Sequence, residues 1–326
     1  MSDAKTAAEA LALPDLAAIR AAAARIAPHV HRTPVFTCRA LDAEVGARLV
    51  FKAENLQRTG AFKARGATNA VFSLSDLEAR RGVVTHSSGN HGAALAYAAQ
   101  RRGIAAFVVM PDNAPQVKLG NVRRYGATVR VCAPTPAARA AGCAEVARET
   151  GATLVHPFDD PRVIAGQATA TLELLEQASD LDVIIAPVGG GGLLSGTALA
   201  ARSSARALRV FGAEPANADD AARSFRSGRV EALPAATTLA DGLRTTLSPR
   251  TLGAIRAGVA AIGVASEAAI IRAMRMLWER AKIIVEPSAA VPLACLLEGT
   301  LDVREARVGI IVSGGNVDLD HLPWQS

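Results

Sequence analysis

One lysine, Lys63, stands in the stretch Gly60-Ala61-Phe62-Lys63-Ala64-Arg65-Gly66-Ala67, directly after Glu54-Asn55-Leu56-Gln57-Arg58-Thr59. A lysine set between an aromatic ring and glycine turns is placed to lose its water. Desolvation lowers the pKa of the amine and frees its lone pair to condense with an aldehyde. Read alone, the stretch fits a solvated lysine after a turn equally well, so the chemistry depends on what else the chain carries.

Three further clusters could serve such a lysine. The run Val183 to Ala186 passes through Pro187-Val188 into Gly189, Gly190, Gly191 and Gly192, and a helical pattern starts near Leu193. Consecutive glycines at a helix N-terminus let backbone N–H groups approach a phosphate with no side chain in the way. A structural glycine turn is the alternative, but four in succession cost chain entropy, so phosphate binding is favoured. The spacing departs from the dinucleotide fingerprint, and no acidic residue closes the following strand, which argues against a nicotinamide oxidoreductase. The second cluster, Ser87-Ser88-Gly89-Asn90-His91-Gly92, lies between a strand and a helix. Its hydroxyls, amide and helix-start N–H groups suit a carboxylate, whereas capping alone needs one such residue. The third, Ser313-Gly314-Gly315-Asn316, follows the run Val308 to Val312. Its hydroxyl could face a heteroaromatic nitrogen, although Ser-Gly-Gly is also ordinary turn chemistry. The aldehyde that matches a reactive lysine and a phosphate seat is pyridoxal phosphate. Separately, Glu214 and Asp220 bracket the loop Pro215-Ala216-Asn217-Ala218-Asp219. Two carboxylates at that spacing suit a hard cation that keeps several waters, Mg²⁺ or Ca²⁺, and a solvated acidic turn is the other reading.

Positioning these groups requires an α/β scaffold. Short β-branched runs at Leu49 to Lys52, Gly82 to Thr85, Ala105 to Met110, Thr128 to Cys132, Thr153 to Val155, Val183 to Ala186, Val210 to Ala213 and Val308 to Val312 read as strands. Between them Ala93 to Arg101, Pro136 to Thr150, Ile164 to Ala178, Leu193 to Ser203 and Glu267 to Lys282 read as helices. That alternation predicts a mainly parallel sheet, and the unusual residues fall at strand ends, where open α/β sheets bind ligands.

The composition removes other classes. With 326 residues there is ample chain for a core. The net charge of +6 is spread among acidic residues, and aromatics make up only 4%, so a nucleic-acid stacking surface is not expected. These charges read as solvated surface. Cys38, Cys132, Cys143 and Cys295 show no metal or redox pairing. No run is long enough to span a bilayer and no signal-peptide core precedes the first strand, which predicts a cytoplasmic protein.

The clusters together, in this order and with Glu286-Pro287-Ser288 between the glycines and Ser313, resemble the serine/threonine dehydratase and serine racemase family of fold-type II pyridoxal-phosphate enzymes. The resemblance runs from His31-Arg32-Thr33-Pro34 to Asn316-Val317-Asp318. It implies a tryptophan synthase β-like architecture with two open, twisted, mainly parallel sheets and helices on both faces. It also implies a large cofactor domain from 1–81 and 160–326, a small mobile domain at 82–159, and a homodimer. By the same resemblance Lys63 holds the cofactor as a Schiff base, Phe62 flanks its ring and Asn90 bonds the phenolic oxygen. Gly189 to Gly192 would take the phosphate and Ser313 the pyridine nitrogen, while Ser87, Ser88, Asn90 and His91 hold the substrate carboxylate. A neutral serine at the ring nitrogen makes a weak electron sink, which favours β-elimination over transamination. The implied reaction is dehydration of a β-hydroxy amino acid (serine, threonine, 3-hydroxyaspartate or 3-phenylserine type) to a 2-keto acid and ammonia. Ser88 matches the second proton carrier of the racemases, so amino-acid racemisation is an alternative, and a non-catalytic cofactor-binding regulator is another. Glu214, Asp220 and the carbonyl of Ala218 match a racemase-type cation site. Ala93 departs from the polar residue of the nucleotide-regulated members, so nucleotide control is not expected. The short stretch after Asp318 leaves no room for a regulatory domain. Arg139 and Arg244 are candidates for the side-chain pocket, where an arginine would favour an acidic substituent.

Overall fold

A computed structural model describes residues 11–87, 89–114, 116–233 and 236–325. Its ten strands form two sheets. The larger sheet contains β1 (Val35–Phe36), β2 (Arg48–Ala53), β7 (Val183–Pro187), β8 (Arg209–Pro215), β9 (Ala261–Ala265) and β10 (Arg307–Val312), in the order β1-β2-β10-β7-β8-β9. All its neighbours are parallel except β1, which runs antiparallel to β2. The smaller sheet is wholly parallel and contains β3 (Val83–His86), β4 (Ala106–Pro111), β5 (Thr128–Cys132) and β6 (Thr153–Leu154), in the order β5-β4-β3-β6.

Parallel strands need helical crossovers, and the crossovers cover both faces of each sheet. In the larger sheet Leu49, Phe51, Val183, Ile185, Val308 and Ile310 pack with helices Glu267–Ala281 and Pro287–Leu297. The intervening residues Val50, Ile184 and Ile311 point the other way, onto helices Pro161–Gln177, Gly192–Ala201 and Pro249–Gly258. Each fully buried aliphatic side chain contributes about 1.5–3 kcal/mol. The smaller sheet repeats the arrangement, with Val83, Val108 and Met110 facing helices Lys63–Phe72 and Asn90–Arg102. Its Val84 and Val109 face helix Pro136–Thr150 through Cys143 and Val146.

The eight expected strands are all present. The two additional strands escape a pattern reading for different reasons: β1 has only two residues, and β9 is diluted by Ala and Gly. All four cysteines are free, and no helix among the described residues is long and apolar enough to cross a membrane.

The charged residues around Lys63 depart from the solvated-surface reading. Lys52, Glu54 and Arg65 are all 0% exposed. Arg65 donates to Glu54 at 2.7 and 2.8 Å and to Glu173 at 2.7 and 2.8 Å. Lys52 Nζ completes the network on Glu173 at 2.6 Å, the Thr33 carbonyl at 2.7 Å and Gln177 at 2.9 Å. Two cations and two carboxylates balance, which is what allows the charges to be buried.

Candidate active site

The C-terminal ends of β3, β7 and β10 and the start of helix Lys63–Phe72 converge on one cavity of about 190 Å³. Lys63 is the first residue of its helix, and backbone pairing fixes that start against the end of β10. Phe62 N–H donates to the Ser313 carbonyl at 3.0 Å, Ala61 bridges to Gly314, and Gly315 N–H donates to the Gly60 carbonyl at 2.9 Å. From there Lys63 Nζ crosses to donate to the Pro157 carbonyl at 2.7 Å. It sits 5.2 Å from the Phe62 ring centre. Burial brings its pKa down to about 8, within reach of a neutral, nucleophilic amine.

The four glycines lie opposite, between β7 and helix Gly192–Ala201. Gly191 has a φ of +87°, a conformation other residues seldom take. A Cβ on Gly190 would come within 2.3 Å of the Phe158 ring, and one on Gly189 within 2.8 Å of the Leu243 Cα. Side chains at these two positions would collide with their neighbours, so the segment stays glycine and its backbone N–H groups stay open to an anion. Ser313, 2% exposed, lines the same cavity from the end of β10.

On the side of the smaller sheet, Ser87, Asn90 and His91 also line the cavity. Ser88 lies outside the described residues. Asn90 Nδ2 donates to both Glu286 carboxylate oxygens, at 2.9 and 3.1 Å, while its Oδ1 accepts from Asn316 Nδ2 at 2.9 Å. Its amide is therefore fixed in orientation, with nitrogen toward Glu286 and oxygen toward Asn316. His91 is 2% exposed, its Nε2 lies 3.2 Å from the Val155 carbonyl and its Nδ1 has no partner. Burial, with Lys63 nearby, holds its pKa well below 6.5, so the ring is neutral.

The cavity thus gathers every described residue expected to hold cofactor or substrate carboxylate: Phe62, Lys63, Ser87, Asn90, His91, Gly189 to Gly192 and Ser313. It also holds residues to which the sequence reading gave no role. Glu286, Ser288 and Asn316 carried a signal, since all three fall inside quoted motifs, but Pro157 and Phe158 had none. The two candidate arginines separate. Arg139, on helix Pro136–Thr150, lines the cavity, whereas Arg244 turns its Nε to the Thr238 carbonyl at 2.9 Å and does not.

The acidic loop lies apart, at the end of β8. Glu214 is buried and accepts from the Ala221 and Ala222 N–H groups at 2.8 Å each, capping helix Asp220–Ser227. Asp220 is also buried, and neither carboxylate oxygen has a partner. Burial raises Glu214 to about 8 and Asp220 to about 6. Among the described residues no group of three or more His, Cys, Asp or Glu side chains gathers as a metal cluster. Two carboxylates and the Ala218 carbonyl would therefore leave most of a cation's shell to water, and the unpartnered Asp220 oxygens fit such an ion.

A desolvated amine, a glycine cradle open to an anion and a serine in the same cavity suit a phosphorylated heteroaromatic aldehyde. Comparison with known proteins agrees. The family model described as "Pyridoxal-phosphate dependent enzyme" matches residues 26–314. A beta-hydroxyaspartate dehydratase of Paracoccus denitrificans is 51% identical over 304 residues, covering 93% of this chain and 96% of the relative. A serine racemase of rice (Oryza sativa subsp. indica) is 49% identical over 96% of this chain and 93% of the relative. Among solved structures, maize serine racemase superposes with a TM-score of 0.93 at 47% identity, covering 95% of both chains.

Proposed function

As the chain belongs to the pyridoxal-phosphate dependent enzyme family, we propose that it is a dehydratase that converts a β-hydroxy amino acid, 3-hydroxyaspartate above all, to a 2-keto acid and ammonia. The dehydratase reading is supported by the 51% identity to the Paracoccus dehydratase. The observation that carries the acidic substrate is Arg139 in the wall of the cavity that holds Lys63 and the glycine cradle. An arginine there meets a second carboxylate with a charge-assisted pair.

When bound, pyridoxal phosphate supplies an electron sink for the charge released at Cα. Lys63 is the residue we assign to hold it and, once freed, to take the Cα proton. Gly189 to Gly192 would hold the phosphate by backbone N–H groups. Asn90, its amide oriented by Glu286 and Asn316, would bond the phenolic oxygen, and Ser313 would bond the ring nitrogen. The start of helix Asn90–Arg102, with Ser87, Ser88 and His91, seats the α-carboxylate. Segment 82–159, which carries all four strands of the smaller sheet, closes over the substrate and excludes water. A divalent cation binds Glu214, Asp220 and the Ala218 carbonyl, and the active form is a homodimer, as the family resemblance implies.

The test is 2-keto acid release by the purified holoenzyme from each stereoisomer of 3-hydroxyaspartate, with serine and threonine alongside. Arg139→Ala should lower kcat/KM for 3-hydroxyaspartate by about 10- to 100-fold, the value of one hydrogen bond to a charged group, and spare serine. Equal loss on both substrates removes the acidic-substrate assignment. Chelation should lower the melting temperature, with Mg²⁺ restoring it; no change removes the cation. The 49% identity to a serine racemase favours racemisation as a second activity. Ser88→Ala should abolish it while sparing elimination of one enantiomer.

A further inference from the structure

A β-hydroxyl departs as water only when its oxygen gains a proton as the Cβ–O bond breaks, a task for a positioned general acid. Several ionisable groups on the cavity wall are committed elsewhere. Lys63 is assigned to Cα, Arg139 to the second carboxylate of the substrate, Glu286 is bonded to Asn90, and His91 Nε2 faces the Val155 carbonyl. His86 differs from all of these. It ends β3, lines the cavity and keeps part of its surface open. Its ring meets His156 edge-on, with centroids 5.4 Å apart. No hydrogen bond ties either ring nitrogen among the described residues, so the ring is not committed to a protein partner.

We infer that His86 is the general acid that protonates the departing β-hydroxyl, an inference that rests on the dehydratase reading. The imidazolium proton passes to the hydroxyl oxygen, and the Cβ–O electron pair stays on that oxygen as water forms. The pair released at Cα closes the Cα–Cβ double bond, and the imidazole is left neutral, to be reprotonated from solvent. The charged groups around His86 explain why the acid should wait for its substrate. Burial and the positive charge of Arg139 hold the imidazole below its ordinary pKa. The neighbouring His91 and His156 are themselves held neutral by burial and supply no negative charge. A second carboxylate seated against Arg139 offsets its charge and favours the imidazolium. A dicarboxylic substrate would thereby prime its own leaving group, which serine cannot do.

The test pairs two leaving groups in the His86→Asn holoenzyme. For 3-hydroxyaspartate kcat/KM should fall by about 10²- to 10⁴-fold, the usual range for a general acid. For 3-chloroaspartate it should change by less than about threefold, because chloride leaves without a proton. Malonate, titrated through the visible cofactor band, should bind the variant within about tenfold of wild type, a loss limited to the linkage between its second carboxylate and protonation of His86 and well below the loss in dehydration. Equal losses with both leaving groups, or malonate binding weakened beyond that limit, would make His86 a binding residue and overturn the inference; so would unchanged dehydration. If His86→Asn fails to retain cofactor, His86→Gln is read by the same three measurements. Wild-type enzyme that releases keto acid from neither compound would instead sink the dehydratase reading, and this inference with it.

Discussion

At the scale of single residues the chemistry turns on how each side chain is surrounded. Lys63 is assigned as the nucleophile because protein encloses its amine, and the pKa of about 8 sets a testable pH dependence. Only the neutral amine attacks an aldehyde, and the neutral fraction grows as pH rises toward that value. The rate of pyridoxal phosphate loading onto the apoenzyme should rise about tenfold per unit below pH 8 and level off above it. Stopped-flow absorbance from pH 6.5 to 9 measures this, and a rise that continues tenfold per unit through pH 9 without levelling off would mean that Lys63 is an ordinary solvated lysine. The types of Lys63, Asn90 and Ser313 were legible because each sits in a motif. The partners that orient Asn90 were not, since Glu286 is 196 positions away and no local pattern links the two.

Elements hold these residues in place by close approach and by buried charge. Helix Lys63–Phe72 seats on helix Pro161–Gln177 where Gly66 meets Gly166, and a Cβ on Gly166 would stand 2.6 Å from the Gly66 Cα. Gly66 N–H also donates to Gln167 Oε1 at 3.1 Å. Beside that contact, Arg65 joins the end of β2 to helix Pro161–Gln177 through Glu54 and Glu173. Glu173→Gln would leave two buried cations sharing one carboxylate. It should destabilise the fold by about 3–5 kcal/mol, the usual effect of breaking a buried pair. Urea unfolding gives the value, and a loss below about 1 kcal/mol, as for surface pairs, would place the network in solvent. The strand and helix periodicities that build these elements were readable. The network was not, because scattered Lys, Arg and Glu read as surface until the chain folds around them.

For the molecule as a whole, several ionisable groups are folded in at the wrong charge for water, and stability therefore depends on pH. His86, His91 and His156 all have pKa values below the ordinary 6.5, His156 at about 4. Below pH 6.5 the unfolded chain binds protons that the folded protein refuses, so this contribution to stability is lost as pH falls from 6.5 toward 4. Glu214 and Asp220, raised to about 8 and 6, pull the other way over part of the same range. A difference measurement separates them. The stability of wild type relative to His156→Gln should fall by about 2–3 kcal/mol between pH 7 and pH 4. Parallel curves for the two proteins would mean that His156 titrates normally in the fold.

The sequence by itself determined the class of chemistry and the α/β frame. Lysine, consecutive glycines, a Ser/Asn loop and β-branched runs act through properties that travel with residue type and short spacing. Tertiary structure alone decided which of these groups share a cavity, and that Arg139 rather than Arg244 lines it. It also decided that the charges around Arg65 are buried and that His86 lines the same cavity. Burial and proximity are relations between segments far apart along the chain. They set pKa values, leave hydrogen-bond donors open and fix what Lys63 can reach, and no local pattern carries them.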